Sequence, residues 1–277
     1  MDQYLKITIP ANPDLHELLI AELDLLNYDS FLEKEGELEA FIQDEYFVEK
    51  LLQKVLVKYK IPGAYTIEKL ENVNWNEQWE NNFDPVNIED RVFIRASFHQ
   101  PQPNFDFEIV IDPKMSFGTG HHQTTYLMIS EQLNINHKGK RFLDIGTGTG
   151  VLGIMAYKLG AKSIIVTDID DWCIENCREN FKLNSVDDVE ILKGTIDKLT
   201  LEGTYDIICA NINKNVLLDE IPIYAKLLSE DGILLLSGFY IEDMEELNAK
   251  ATECQLKHDR IKTKKSWAME TLSHAHV

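Results

Sequence analysis

Positive charge is scarce in this sequence. Its 27 lysines and arginines face 47 aspartates and glutamates, a formal net charge of -20. Such a chain is repelled by a phosphate backbone, which argues against non-specific binding to nucleic acid. The imbalance fits a basic partner, such as a lysine-rich protein, and equally fits plain solubility. Cysteine is also sparse. The four residues Cys173, Cys177, Cys209 and Cys254 include no C-x-x-C pair. That spacing speaks against a zinc knuckle or a disulfide scaffold and suits reduced thiols in a cytosolic protein. No apolar run is long enough to span a bilayer, and the opening M-D-Q-Y-L-K lacks the layout of a signal peptide. The expectation is a cytoplasmic chain with no membrane partner. Internal repeats and low-complexity segments are missing too.

What is present is organised around Phe142 to Gly150, F-L-D-I-G-T-G-T-G. An apolar run feeds three glycines at alternate positions. V-L-G-I-M-A-Y-K-L-G follows with helical spacing, then S-I-I-V-T reads as a buried strand that ends at Asp168. Strand, glycine turn, helix, strand and acid make a βαβ nucleotide-binding unit. The turn must bend tightly and approach a ligand closely, which a Cβ would obstruct. The acid is set to accept hydrogen bonds from ribose hydroxyls. Two ligand classes use this geometry. Dinucleotides prefer G-x-G-x-x-G with a pyrophosphate on the helix N-terminus. Here the spacing is G-x-G-x-G preceded by Asp144. A carboxylate there suits the ammonium of S-adenosylmethionine and would repel a pyrophosphate.

At 277 residues the chain suits two domains. Tyr4 to Ile9 alternates like a strand, and Asp14 to Leu26 has helical spacing with Asn12 or Asp14 as N-cap. Ser30 to Lys34 and Glu37 to Ile42 flank Glu35-Gly36 as a hairpin. A helix over Asp44 to Tyr59 and a strand over Tyr65 to Leu70 follow. The order βαββαβ predicts a ferredoxin-like α+β domain over residues 1–70, a candidate recognition module. A connector over 71–88 carries Trp75, Trp79 and Phe83 at helical spacing. Residues 89–277 are the α/β domain, a doubly wound Rossmann-like sheet.

Within that domain, Arg91 to Phe98 and Phe105 to Ile111 read as strands joined by a Pro-rich turn at Gln100 to Asn104. Next comes D-P-K-M-S-F-G-T-G-H-H-Q-T-T, Asp112 to Thr125, just before a helix expected over Tyr126 to Leu133. A loop crowded with glycine, threonine and histidine can fold over a ligand. His121 and His122 are adjacent, cannot share a helix face, and have no partners at ligand spacing, so no metal site is expected. Further helices are expected over Trp172 to Leu183, Leu217 to Leu228 and Glu242 to Cys254. The strand Tyr205 to Ala210 ends at Asn211, at the carboxyl end of a central strand where ligands meet such sheets. The Asn211 amide can both accept and donate near a reacting amine. Lys193-Gly194-Thr195 occupies the place where an adenine is flanked.

Several of these stretches together resemble one family, the ribosomal protein L11 methyltransferases of the PrmA type. The resemblance rests on N-W-N-E-Q-W-E-N-N-F-D-P-V (Asn74 to Val86), on D-P-K-M-S-F-G-T-G-H-H-Q-T-T, and on L-D-I-G-T-G-T-G with A-N-I. It implies a class I methyltransferase domain behind a ferredoxin-like domain. The implied activity is transfer of methyl groups from S-adenosylmethionine to lysine side chains and the N-terminal amine of ribosomal protein L11, by a monomer. It implies cofactor contacts at Thr125, Gly146, Asp168 and Asn211, with Phe117, Gly118, Thr119 and Gly120 as the loop over the methionine part. Asp144 and Gly148 join these from the turn itself. The chain departs from the family pattern at His121 and Gln123, at Asn213 after A-N-I, and at Phe239-Tyr240 after the fifth strand. Open alternatives are methylation of another protein or a small-molecule amine, and a binding protein that performs no chemistry.

Overall fold

The computed structural model describes residues 4–61, 65–69, 84–112, 114 and 116–275. The chain divides into two compact units, Met1–Phe83 and Asp84–Val277. The expected connector helix with Trp75, Trp79 and Phe83 lies outside the described residues. Residues 86–88, expected as the connector's end, instead form a strand of the second unit.

Among its described residues the first unit is a four-stranded antiparallel sheet with two helices. Its elements are β1 (Tyr4–Pro10), α1 (His16–Asp24), β2 (Ser30–Lys34), β3 (Glu37–Gln43), α2 (Glu49–Lys58) and β4 (Thr66–Lys69). The strand order β2-β3-β1-β4 is the ferredoxin-like arrangement expected from βαββαβ. Period-two alternation builds it. Leu5, Ile7 and Ile9 of β1 and Leu38, Ala40 and Ile42 of β3 turn to one face, against Leu19, Leu23, Leu52 and Leu56 of the helices. Each such aliphatic side chain contributes about 2 kcal/mol on burial. The opposite face carries charge: Lys6 lies 2.6 Å from Glu68, and Lys34 lies 2.8 Å from Glu39. The α1 N-terminus differs from expectation. A short 3-10 turn, Pro13–Leu15, precedes it, and Leu15 holds the N-cap position without a side-chain hydrogen bond. The second helix starts at Glu49, five residues later than its periodicity suggested, because Asp44 to Phe47 make turns of their own.

The second unit is built on a seven-stranded sheet. In chain order it has β5 (Val86–Ile88), β6 (Val92–Arg95), β7 (Phe107–Val110), α3 (Gln123–Gln132), β8 (Arg141–Ile145), α4 (Val151–Lys158), β9 (Ser163–Asp168), α5 (Asp171–Leu183) and β10 (Glu190–Lys193). Then come β11 (Tyr205–Asn211), α6 (Lys214–Leu227), β12 (Leu228–Tyr240), α7 (Met244–Glu253), β13 (Leu256–Lys264) and β14 (Trp267–His274). The order is β10-β9-β8-β11-β12-β14-β13. The first five strands are parallel; β14 runs antiparallel to them, and β13, antiparallel to β14, runs in their direction again. The chain starts in the middle at β8, steps outward to β10, then returns to the other side of β8 with β11. The reversal opens a crevice at the carboxyl ends of β8 and β11, where doubly wound sheets take ligands.

Successive residues of β8 feed two cores. Phe142 packs with Leu127, Ile154 and Phe181 on one face, and Leu143 and Ile145 pack with Leu217, Ile221 and Leu247 on the other. Burial on both faces is why the strand reads as a continuous apolar run. Among the described residues no helix is long and apolar enough to cross a membrane.

β5, β6 and β7 form a separate three-stranded sheet. The two strands flanking the Pro-rich turn are shorter than expected and run parallel, with Val92 opposite Phe107. The intervening chain therefore crosses over instead of making a hairpin. Arg91 bridges to Asp106 at 2.8 Å and Arg95 to Glu108 at 2.5 Å, which ties the two strands together. Beyond β7, three asparagines at four-residue spacing take up backbone groups. Asn184 both accepts from the Val110 N–H at 2.9 Å and donates to its carbonyl at 2.7 Å. Asn180 accepts from the Asp112 N–H at 3.0 Å, and Asn176 donates to the Asp112 carbonyl at 2.9 Å.

The antiparallel edge holds two buried acids in opposite circumstances. Glu131 receives Arg260 at 2.6 Å and Lys262 at 3.0 Å. Glu270 lies between Ala268 and Leu272, which join the core under α6 and α7, and neither of its carboxylate oxygens has a partner among the described residues. Burial pushes its carboxyl up to about 7. The unfolded carboxyl ionises near 4.5. Stability from the protonated form is therefore complete below that value and lost as pH rises through about 7. Glu270→Gln should gain on the parent by about 3 kcal/mol between pH 4 and pH 8 in denaturant unfolding. Parallel pH curves for the two proteins would contradict this.

Candidate active site

Two close approaches shape the crevice. The backbone of Gly146 leaves β8 at φ +69, where a Cβ would stand 2.3 Å from Ile212 Cγ2. Gly148, at φ +55, would put a Cβ 2.2 Å from the carbonyl oxygen of Phe117. Neither position has room for a side chain, and both torsions favour glycine. The turn is fixed from three sides. Thr147 N–H donates to Thr167 O at 2.9 Å, Thr149 N–H to Phe117 O at 2.9 Å, and Gly148 N–H to Asp168 Oδ2 at 2.9 Å. The Thr149 hydroxyl donates to Gly118 O at 2.6 Å. The loop before α3 and the end of β9 are thus anchored on one glycine turn.

Between them lies a cavity of about 510 Å3, a size typical of small-molecule sites. Phe117, Gly146, Gly148, Asp168 and Asn211 line it. Asp168 is oriented twice, by the Gly148 N–H and by the Asp170 N–H at 3.1 Å to Oδ1. The Asn211 Oδ1 is buried and has no partner among the described residues. A buried amide oxygen of this kind is costly unless something donates to it.

Other expected residues stand behind the wall. Asp144 is fully buried beneath the turn and does not line the cavity. Its Oδ2 accepts from the Thr147 hydroxyl at 2.6 Å, Oδ1 has no partner, and burial pushes the carboxyl up to about 7. A direct contact from Asp144 to a ligand ammonium is therefore not what this geometry offers. The carboxylate faces into the protein because β8 is buried on both sides. Thr125 is buried one position past the cavity, and Thr124 lines it instead, because α3 begins at Gln123 and turns alternate faces inward. Gly118, Thr119 and Gly120 shape the loop without lining the cavity. Thr119 Oγ1 and the Asp84 carbonyl take the two ring nitrogens of His121 at 3.0 and 2.8 Å. Among the described residues no group of three or more His, Cys, Asp or Glu side chains is arranged to hold a metal.

Aromatic rings close the other side. Phe117 stands edge-on to His122 at 5.1 Å, His122 to Trp267 at 4.6 Å, and Trp267 lies 4.1 Å from Tyr240. His122 caps α3, its Nδ1 accepting from the Thr124 N–H at 3.3 Å. Burial holds its pKa below the usual imidazole value. The same Nδ1 lies 2.8 Å from the Thr124 hydroxyl, so the ring is held at the start of α3 by both groups of Thr124.

The sequence reading missed several lining residues: Ile169, Ile196, Val216, Glu220 and Trp267. Asn213, a departure from the family pattern, caps α6 by accepting from the Val216 N–H at 3.2 Å. Starting that helix at Asn213 would have put 213, 216 and 220 on one face and revealed two of the five. Trp267 has no local signal. It arrives because β14 pairs with β12 and sets it opposite Tyr240.

This geometry has counterparts. The family model described as ribosomal protein L11 methyltransferase (PrmA) matches residues 13–274. A ribosomal protein L11 methyltransferase of Porphyromonas gingivalis is 42% identical over 257 residues, 91% of this chain and 89% of the relative. One from Phocaeicola vulgatus is 38% identical over 273 residues, 96% of this chain and 97% of the relative. Among solved structures, a ribosomal protein L11 methylase from Lactobacillus delbrueckii subsp. bulgaricus superposes with a TM-score of 0.65 at 31% identity, covering 70% of this chain and 100% of that one. The sheet order, the glycine turn and these relatives agree: the chain belongs to the ribosomal protein L11 methyltransferase (PrmA) family.

Proposed function

We propose that this methyltransferase uses S-adenosylmethionine to methylate lysine side chains and the N-terminal amine of ribosomal protein L11. The observation that carries the reading is the set of groups converging on one cavity: the close-approach turn at Gly146 and Gly148, the fixed carboxylate of Asp168, and the unpartnered Asn211 oxygen. They fit the cofactor. Asp168 would accept from the ribose hydroxyls, the glycine turn would admit the methionine part beneath Phe117, and Ile169 and Ile196 would flank the base. When bound, S-adenosylmethionine supplies a sulfonium methyl already activated for in-line displacement.

The chain's own residues then have three tasks. They hold the amine in line, keep it neutral, and exclude water. Free lysine titrates near ~10.4, and removal from water inside the aromatic wall of Phe117, His122 and Trp267 lowers that value. The Asn211 oxygen accepts from a neutral amine and orients its lone pair. No base is required of His122. The proton leaves to water.

The net charge of -20 suits a basic protein substrate. We assign substrate recognition to the ferredoxin-like unit, reorientation between target nitrogens to the connector that ends before β5, and the site of action to the cytoplasm, as a monomer free of nucleic acid and membrane.

Two measurements bear on this. Intact mass of ribosomal protein L11 after incubation with the chain and S-adenosylmethionine should rise in steps of about 14 Da, one per transferred methyl. Deleting residues 1–70 should abolish those steps while leaving cofactor binding intact. No mass gain with the full chain would move the substrate elsewhere. In calorimetry, Asp168→Ala should weaken S-adenosylhomocysteine binding by ~10–100-fold, since it removes the ribose acceptor and strands the Gly148 N–H. An unchanged affinity would mean that the nucleoside does not sit on β9.

A further inference from the structure

The cavity continues past Asp168, away from the glycine turn. Its far end is walled by Gly194, Thr195 and Ile196 after β10, by Ile169 after β9, and by Val216 and Glu220 of α6. On the cofactor reading above, on which this inference rests, the ribose hydroxyls engage Asp168. The amino-acid part leaves the ribose at C5′ and the base at C1′. One end of the cavity, toward Gly146 and Phe117, takes the former, so the far end takes the base.

Two polar groups at that end have unused capacity. Glu220 accepts the Tyr224 hydroxyl at Oε2, and its Oε1 has no protein partner among the described residues. The Thr195 hydroxyl is buried and likewise unpartnered. One helical turn past Val216, Glu220 also lies close enough to the 195–197 loop for Asp197 to act on its charge, and partial burial raises its pKa. A half-buried carboxylate that lines a nucleoside-sized cavity, with one oxygen taken by Tyr224, has a second oxygen left to accept from a ligand donor. An adenine offers a donor, its exocyclic amine, and acceptors in its ring nitrogens, which suit the Thr195 hydroxyl.

We infer that Glu220 reads the base of the cofactor, its free carboxylate oxygen accepting from the exocyclic amine of adenine while Thr195 donates to a ring nitrogen. Hypoxanthine reverses this pattern. It carries an oxygen in place of the amine, and that oxygen would face the carboxylate. Sites built to hydrogen-bond a group reject analogues that lack it, because the site's polar atom is left unpaired. The Tyr224 hydroxyl sets the rotamer of Glu220 and so fixes which oxygen is presented.

The test is calorimetry on the full chain with two probes, S-adenosylhomocysteine and S-inosylhomocysteine. The parent should prefer the adenine compound by at least ~10-fold. Glu220→Gln offers an amide N–H to the hypoxanthine oxygen, so it should bind the inosine compound more tightly than the parent does and bring the two affinities within ~3-fold. A gain of that kind cannot come from damage to the fold. Glu220→Ala should narrow the preference from the other side, by weakening the adenine compound alone. If both variants keep the parent's ratio, Glu220 does no more than hold Tyr224, and the assignment is overturned. If the parent binds neither probe, the cofactor reading fails and this assignment fails with it.

Discussion

The Phe117 carbonyl and the Gly148 backbone pass each other with no space for a methyl group between them. The rest of the site depends on that contact. It brings the loop before α3 onto the turn after β8, through hydrogen bonds from Thr149 to Phe117 and Gly118. The same turn reaches the other way, from Gly148 to Asp168. Three segments far apart in sequence are therefore positioned relative to one backbone nitrogen and its neighbours. A side chain at either glycine would push the loop off, and the cavity would lose a wall.

Buried carboxylates of the second unit are met in different ways. Glu131 sits under Arg260 and Lys262. Asp144 keeps one unpartnered oxygen, as does Asn211, and Glu220 keeps one free. Glu270 has both oxygens unpaired among the described residues, on β14, three strands from the glycine turn. No structural reason for its retention is evident.

Much of this was readable in the sequence, for physical reasons that also mark the boundary. The ferredoxin-like unit and the βαβ turn announce themselves because strand and helix periods are local, and glycine is needed wherever backbones touch. Asp168 and Asn211 followed, since each ends a strand whose position the pattern gives. What the sequence withheld was nonlocal. The direction of β7 against β6 depends on a crossover that the Pro-rich segment does not specify. The side toward which Asp144 points depends on both faces of β8 being covered. Trp267 reaches the cavity only through the pairing of β14 with β12. Glu220 lay inside the expected helix, but with the start placed three residues late the Asn213 cap, and the face it shares with Val216 and Glu220, went unread.

The asparagines of α5 carry a consequence for how the molecule keeps to itself. β7 is the last strand of its sheet, and on its outer side the backbone groups of Val110 and Asp112 would be open for pairing with a foreign strand. Asn184 bonds to both groups of Val110, much as a neighbouring strand residue would, while Asn180 and Asn176 share those of Asp112. Three side chains of a helix thus imitate the missing strand. Asparagine is a weak helix former, worse than alanine by about 0.5 kcal/mol per residue. The helix and its C-cap Asn184 are made less self-sufficient, and in return the carboxyl end of the edge strand has its outward backbone groups occupied from within the chain.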